Sequence, residues 1–193
     1  MKGTVQDIFS LNAGFLQTKD LVRRAQWYQL KKMIDKGEAV KLSSGIYKLN
    51  NIRIPQKAEI AILYPSAVLC MFTAWHYYNL SSANPWAFHA AVEYKNKVSK
   101  PDYPPVNFYY WRNQPFHLGI TEIEEDGYKI RMYDLEKSVC DAIRFRNKAG
   151  FDTLSEILKN YLKRPDKDLD KLTRYAQELR IEKFVSETIT IML

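Results

Sequence analysis

The chain has 193 residues, 46% of them hydrophobic and 26% charged. That suits one full domain, or a small domain beside a medium one, and excludes a largely disordered protein. The formal net charge is +7 and unevenly spread: residues 1–54 hold ten basic and four acidic side chains, leaving nineteen and eighteen of the totals of 29 and 22 for the rest.

Two cysteines, Cys70 and Cys140, sit far apart in apolar surroundings. This argues against a disulfide scaffold and a cysteine-rich metal site, and a reducing cytoplasm is the expected compartment. Apolar runs such as Ala67 to Ala74 fall far short of a membrane span. Met1 to Asp7 has no apolar core, so no signal peptide is expected.

In chain order, Val5, Ile8, Phe9 and Leu11 recur at helical spacing and predict a first helix, stopped by Asn12-Ala13-Gly14. Thr18 is a good N-cap for a short second helix, Lys19 to Arg24, with Leu21 and Val22 as its core residues. A third helix is predicted from Gln26 to Asp35. Its apolar residues Trp27, Leu30, Met33 and Ile34 form one stripe, expected to be core rather than an intercalating wedge. Tyr28, Gln29, Lys31 and Lys32 fall off that stripe, and Gly37 ends the helix. Val40-Lys41-Leu42 and Ile46-Tyr47-Lys48-Leu49 flank Ser43-Ser44-Gly45, a hairpin signal.

Three short helices and a hairpin are the order of a winged helix-turn-helix. The last helix would enter the major groove and the wing would lie along the backbone or the minor groove. The residues expected to meet DNA are Thr18, Lys19, Gln26, Tyr28, Gln29, Lys31, Lys32, Lys41, Ser43, Ser44 and Lys48. Gln and Tyr at the start of the helix would reach base edges, while Lys and Ser would hold phosphates. The competing reading is a winged helix used only for protein contacts, since fold does not fix function.

After a connection at Asn50 to Pro55, a helix is predicted from Gln56 to Leu63 and a buried run from Ser66 to Cys70. Thr73 is read as the cap of a helix through Tyr78. Strands are expected at Phe88–Tyr94, Val106–Trp111 and Phe116–Glu122. Asp126-Gly127 marks a tight turn before Tyr128 to Met132. Asp134 should cap a helix to about Arg146, and amphipathic helices follow at Leu154–Leu162 and Leu169–Leu179. A last helix from about Glu182 carries Phe184, Val185, Ile189 and Met192. The expected class is α+β: a winged helix-turn-helix over residues 1–54, then a mixed α+β domain over 55–193 with a helical C-terminal part.

Two stretches bear a wider likeness. The front is Thr18-Lys19-Asp20-Leu21, then Gln29 through Gly37, then Glu38 to Tyr47, ending in Gly45-Ile46-Tyr47. The back is Thr73-Ala74-Trp75-His76-Tyr77-Tyr78-Asn79-Leu80, the strand Phe88 to Val92, and Asp134-Leu135-Glu136-Lys137-Ser138-Val139-Cys140-Asp141. Together they resemble the AbiEi-type antitoxins and transcriptional regulators of abortive-infection, type IV, toxin–antitoxin systems. Lys137 stands where that family usually has Arg, and the last helix is short. The resemblance implies a repressor that binds inverted repeats of double-stranded DNA in its own promoter. It implies that the larger domain counteracts a cognate nucleotidyltransferase-like toxin. No catalytic residue, metal, cofactor or membrane partner is expected.

Rival chemistry is sparse. Glu122, Glu124, Glu125, Asp126 and Lys129 could serve a winged-helix-targeted nuclease, but acidic residues at a hairpin tip are ordinarily just solvated. His76, His89 and His117, spaced by 13 and 28 residues, fit no zinc motif. Cys140 lacks an activating partner in sequence. Asp134 and Glu136 are expected to serve the helix start, and Asp141 to pair with a cation or a backbone donor. A protein-interaction adaptor without DNA binding is the remaining alternative.

Overall fold

The computed structural model describes residues 3–99 and 103–192. Lys2, counted above, and the Ile189 and Met192 side chains lie outside the described residues. The protein is mixed α+β and divides into two compact units, Met1–Pro55 and Gln56–Leu193.

The first unit opens with α1, Val5–Leu11. Its start is a reciprocal cap: Thr4 Oγ1 accepts the Asp7 N–H at 3.2 Å, and the Asp7 carboxylate accepts the Thr4 N–H at 2.6 Å. It ends at Gly14, whose N–H reaches the Phe9 carbonyl at 2.7 Å with φ at +87°. A Cβ there would meet Ile52 Cδ1 at 2.1 Å, so both backbone and space demand glycine.

Strand β1, Phe15–Gln17, leads into a single 3-10 turn, Thr18–Asp20, where a longer helix to Arg24 was expected. The Asp20 carboxylate accepts the Gln17 N–H at 3.1 Å and closes that turn. The chain is already extended at Leu21, with φ −83° and ψ 107°, so the helix cannot propagate. Thr18 is therefore the first residue of the turn rather than a helix cap.

Helix α2 spans Arg24–Asp35, and β2 (Ala39–Ser43) and β3 (Ile46–Leu49) form the hairpin. The sheet order is β1-β3-β2, antiparallel throughout. Val5, Phe9, Leu16, Leu21, Leu30, Met33 and Ala39 make the core, with Tyr47 and Leu49 packed against it.

In the second unit a five-stranded sheet runs in the order β6-β5-β4-β8-β7. Its strands are β4 (Val68–Leu69), β5 (Phe88–Glu93), β6 (Val106–Trp111), β7 (Ile120–Glu125) and β8 (Tyr128–Tyr133). β5 pairs parallel with β6 and β4 parallel with β8, while β4–β5 and β7–β8 are antiparallel. The helices are α3 (Gln56–Leu63), α4 (Met71–Tyr77), α5 (Gln114–His117), α6 (Leu135–Arg144), α7 (Arg146–Ala149), α8 (Phe151–Leu162), α9 (Leu169–Glu178) and α10 (Glu182–Met192).

Helix α6 is central: every residue from Leu135 to Ile143 is buried. Asp134 caps it by accepting the Lys137 N–H at 2.9 Å.

Two local expectations change. Thr73 lies inside α4, and its Oγ1 accepts the His89 N–H at 2.7 Å, tying the helix to β5. Phe116 lies in the short helix α5 and not in a strand. Pro115 near the helix start presets φ, and the Phe116 ring is buried. Among the described residues no helix is long and apolar enough to cross a membrane.

Candidate nucleic-acid interface

Helix α2 turns its buried side toward Gln26, Leu30 and Met33. With 3.6 residues per turn, the opposite side carries two i, i+4 columns: Arg24–Tyr28–Lys32 and Trp27–Lys31–Asp35. Aromatic and cationic side chains therefore alternate across one face. Tyr28 is 63% exposed and Trp27 45% exposed. The Arg24 guanidinium lies 5.8 Å from the centre of the Tyr28 ring. Lys31 and Lys32 are exposed and have no carboxylate within ion-pair distance among the described residues. Three of the four acidic side chains of this unit are engaged locally: Asp7 and Asp20 with backbone N–H groups, and Glu38 with Lys36 at 3.7 Å.

This rotation of α2 corrects two expectations. Gln26 was assigned to DNA, yet it is buried. Its Oε1 accepts the N–H groups of Val22 at 2.9 Å and Arg23 at 3.0 Å, and its Nε2 donates to the Gly3 carbonyl at 3.1 Å. The side chain closes the start of the helix and is not available to a base. Trp27 was assigned to the core and instead stands at the surface, and Ile34 is 36% exposed. The signal for Gln26 was present: a Gln three residues after the cap position is a capping-box residue.

The remaining assigned residues are distributed as follows. Gln29 is exposed but lies at the edge of the face, where its Oε1 accepts the Val5 N–H at 3.4 Å. Lys19 is exposed in the 3-10 turn, and Thr18 is half-buried, its N–H donating to the Gly45 carbonyl at 2.8 Å. On the hairpin, Lys41 and Ser44 are exposed, while Ser43 and Lys48 are half-buried. Lys41 lies opposite Tyr47, and Lys48 lies opposite Val40 on one side and Phe15 on the other. Gly45, at φ +75°, makes the turn. A Cβ there would meet Thr18 Oγ1 at 2.8 Å, so the tip of the hairpin is fitted to the 3-10 turn.

The carboxylate group of the second unit is arranged as cross-strand pairs. Glu122 lies opposite Arg131 and Glu124 opposite Lys129, and Lys129 Nζ reaches Glu122 at 2.9 Å. Lys57 lies 3.1 Å from Glu125. Among the described residues no three His, Cys, Asp or Glu side chains are grouped to hold a metal ion. Burial pushes the Cys70 thiol well up and the Cys140 thiol up to about 12, with Asp141 adding to both, so neither is a thiolate at neutral pH.

The Asp134 to Asp141 stretch forms an interior ionic cluster. Lys137 Nζ contacts Asp141 Oδ1 and Oδ2 at 2.7 and 2.6 Å, and both side chains are wholly buried. The ammonium also sits 4.1 Å from the Tyr133 ring centre and 4.4 Å from that of Trp111. Burial pushes the Asp141 carboxyl above its ordinary range, against the pull of Lys137 and Arg144. Glu136 accepts the Asp168 N–H at 3.2 Å and pairs with Lys171 at 3.1 Å. Burial opposes the charge on Lys171, but hydrogen bonds to Asp134 and Glu136 hold its ammonium above the usual lysine range. The Glu136 and Lys171 contacts join α6 to α9, while Lys137–Asp141 lies within α6; Lys171 itself stays partly exposed.

Elsewhere in this unit, α7, α8 and α10 border an apolar groove of about 590 Å³ lined by Phe151, Leu154, Leu158 and Phe184. Phe151 is 80% exposed there.

No family model and no curated protein matches the chain. Among solved structures, the RV2827C protein from Mycobacterium tuberculosis is similar over 90% of this chain and 69% of its own length. The TM-score is 0.56 and the sequence identity 12%, a likeness of fold alone.

Proposed function

We propose that the protein is a DNA-binding transcriptional autorepressor and antitoxin of a type IV, abortive-infection toxin–antitoxin system. In this reading Met1–Pro55 is a winged helix-turn-helix, α2 is its recognition helix and the β2–β3 hairpin its wing. The observation that carries the reading is the solvent face of α2, where Arg24, Lys31 and Lys32 alternate with Tyr28 and Trp27 in a unit that holds most of the net positive charge.

The second unit would counteract a nucleotidyltransferase-like toxin. Its near-neutral charge and the exposed apolar groove on α8 and α10 favour a protein partner over DNA for that half. The antitoxin role itself rests on the resemblance described above.

The test is a full-length variant with Lys31, Lys32 and Lys41 all changed to Ala. It should lose repression of a reporter fused to the operon promoter and still protect cells from the neighbouring toxin, with folding checked by circular dichroism. Loss of both functions, or of neither, would contradict the division of roles.

A further inference from the structure

Helix α2 presents more than charge. At its N-terminal end Val22 is 65% exposed, Trp27 45% and Tyr28 63%, although a unit this small has a core to which such side chains could contribute. Gln26 explains why they do not. It fixes the start of the helix by accepting the Val22 and Arg23 N–H groups, and with Gln26 turned inward the next residue, Trp27, stands outward, while Val22, just before the cap, is exposed. The exposed apolar edge is thus set by a buried hydrogen-bond network. Lys31 lies one turn beyond Trp27, and Arg24 lies beside Tyr28. An apolar protein surface would bury this edge against uncompensated cations. A DNA major groove satisfies both kinds of group at once, with phosphates for Arg24, Lys31 and Lys32 and thymine C5-methyl groups for the apolar edge.

Resting on the DNA-binding reading, we propose that Val22 and Trp27 are specificity-determining residues that read thymine methyl groups. The protein's preferred site therefore carries A·T pairs facing the start of α2. The N-terminal residues of a recognition helix are the ones that reach base edges, which is where this edge sits. Burying one methyl group against an apolar side chain changes affinity about three- to fivefold.

The test uses full-length protein and duplexes selected by it from a random pool. Each selected duplex is compared with a copy in which deoxyuridine replaces thymidine, so that only the C5-methyl groups are removed. Wild-type affinity should fall at least about threefold on the uracil copy. Trp27→Ala should narrow that difference, the Val22→Ala/Trp27→Ala double variant should bind both copies equally, and Trp27→Phe should recover part of the difference lost in Trp27→Ala.

Salt-dependent binding with no thymine-to-uracil difference, or selected sites lacking A·T pairs, would overturn the methyl reading and leave DNA binding standing. Absence of any binding would overturn both. Sedimentation is run on the same samples: a smaller assembly for Trp27→Ala than for wild type would make the edge an interface between copies of the chain and overturn the proposal.

Discussion

At the level of single residues, burial decides what a side chain can do. Gln26 holds three backbone groups from a buried position, so its role is stability and not recognition. Gln26→Ala should destabilise the protein by about 1–2 kcal/mol in chemical denaturation, the usual scale for a lost cap. An unchanged midpoint would contradict this.

Lys137 and Asp141 are partners with no access to water. Asp141→Ala leaves a buried ammonium and should cost about 3–5 kcal/mol, whereas the joint change Lys137→Met with Asp141→Leu should recover most of that loss. A double variant as unstable as the single one would mean that the pair does more than satisfy itself.

His89 gives a pH signature. Burial lowers its imidazole from an ordinary 6.5 to about 4, and its Nδ1 shares a 2.8 Å hydrogen bond with the Tyr109 hydroxyl. Between those two values the unfolded chain binds the proton and the folded protein does not, so stability falls as pH drops through the window. The urea midpoint should shift less between pH 7 and pH 5 in His89→Gln than in wild type. Equal shifts would show that other groups carry the dependence.

At the level of elements, local chemistry was legible where it is self-contained. The span of α1, the Asp126-Gly127 turn and the Asp134 cap of α6 each depend on a few neighbouring residues, and the sequence shows them directly. The phase of α2 was not legible from hydrophobicity. Trp27, Leu30, Met33 and Ile34 fit a stripe, but the buried side contains Gln26 because the helix start needs its amide. The second helix shrank to one turn because Asp20 closes it and the extended Leu21 stops it, a choice made by side-chain bonds rather than apolar periodicity. The interior placement of Lys137 was only partly legible: Asp141 lies one turn on and Tyr133 four residues back, but Trp111 reaches the ammonium from β6, far off in sequence.

The hairpin yields its own prediction. Gly45→Ala combines a left-handed φ with a 2.8 Å approach to Thr18, so it should cost more than about 1 kcal/mol. It should also weaken DNA binding if the hairpin is a wing. Normal stability together with normal binding would show that the tip relaxes freely and contributes nothing.

At the level of the whole molecule, charge and burial are divided between two units. One is small and strongly cationic; the other is larger, nearly neutral and built around the buried helix α6. That division underlies the proposal that DNA is held by the first. The most direct measurement is the affinity of full-length protein for duplex DNA across a salt series, for wild type and for Lys31→Ala/Lys32→Ala. The dissociation constant should rise steeply with salt, and the double variant should reduce the log–log slope by roughly 0.9 for each phosphate contact removed. A constant independent of salt, or an identical slope in the double variant, would contradict a DNA interface on α2.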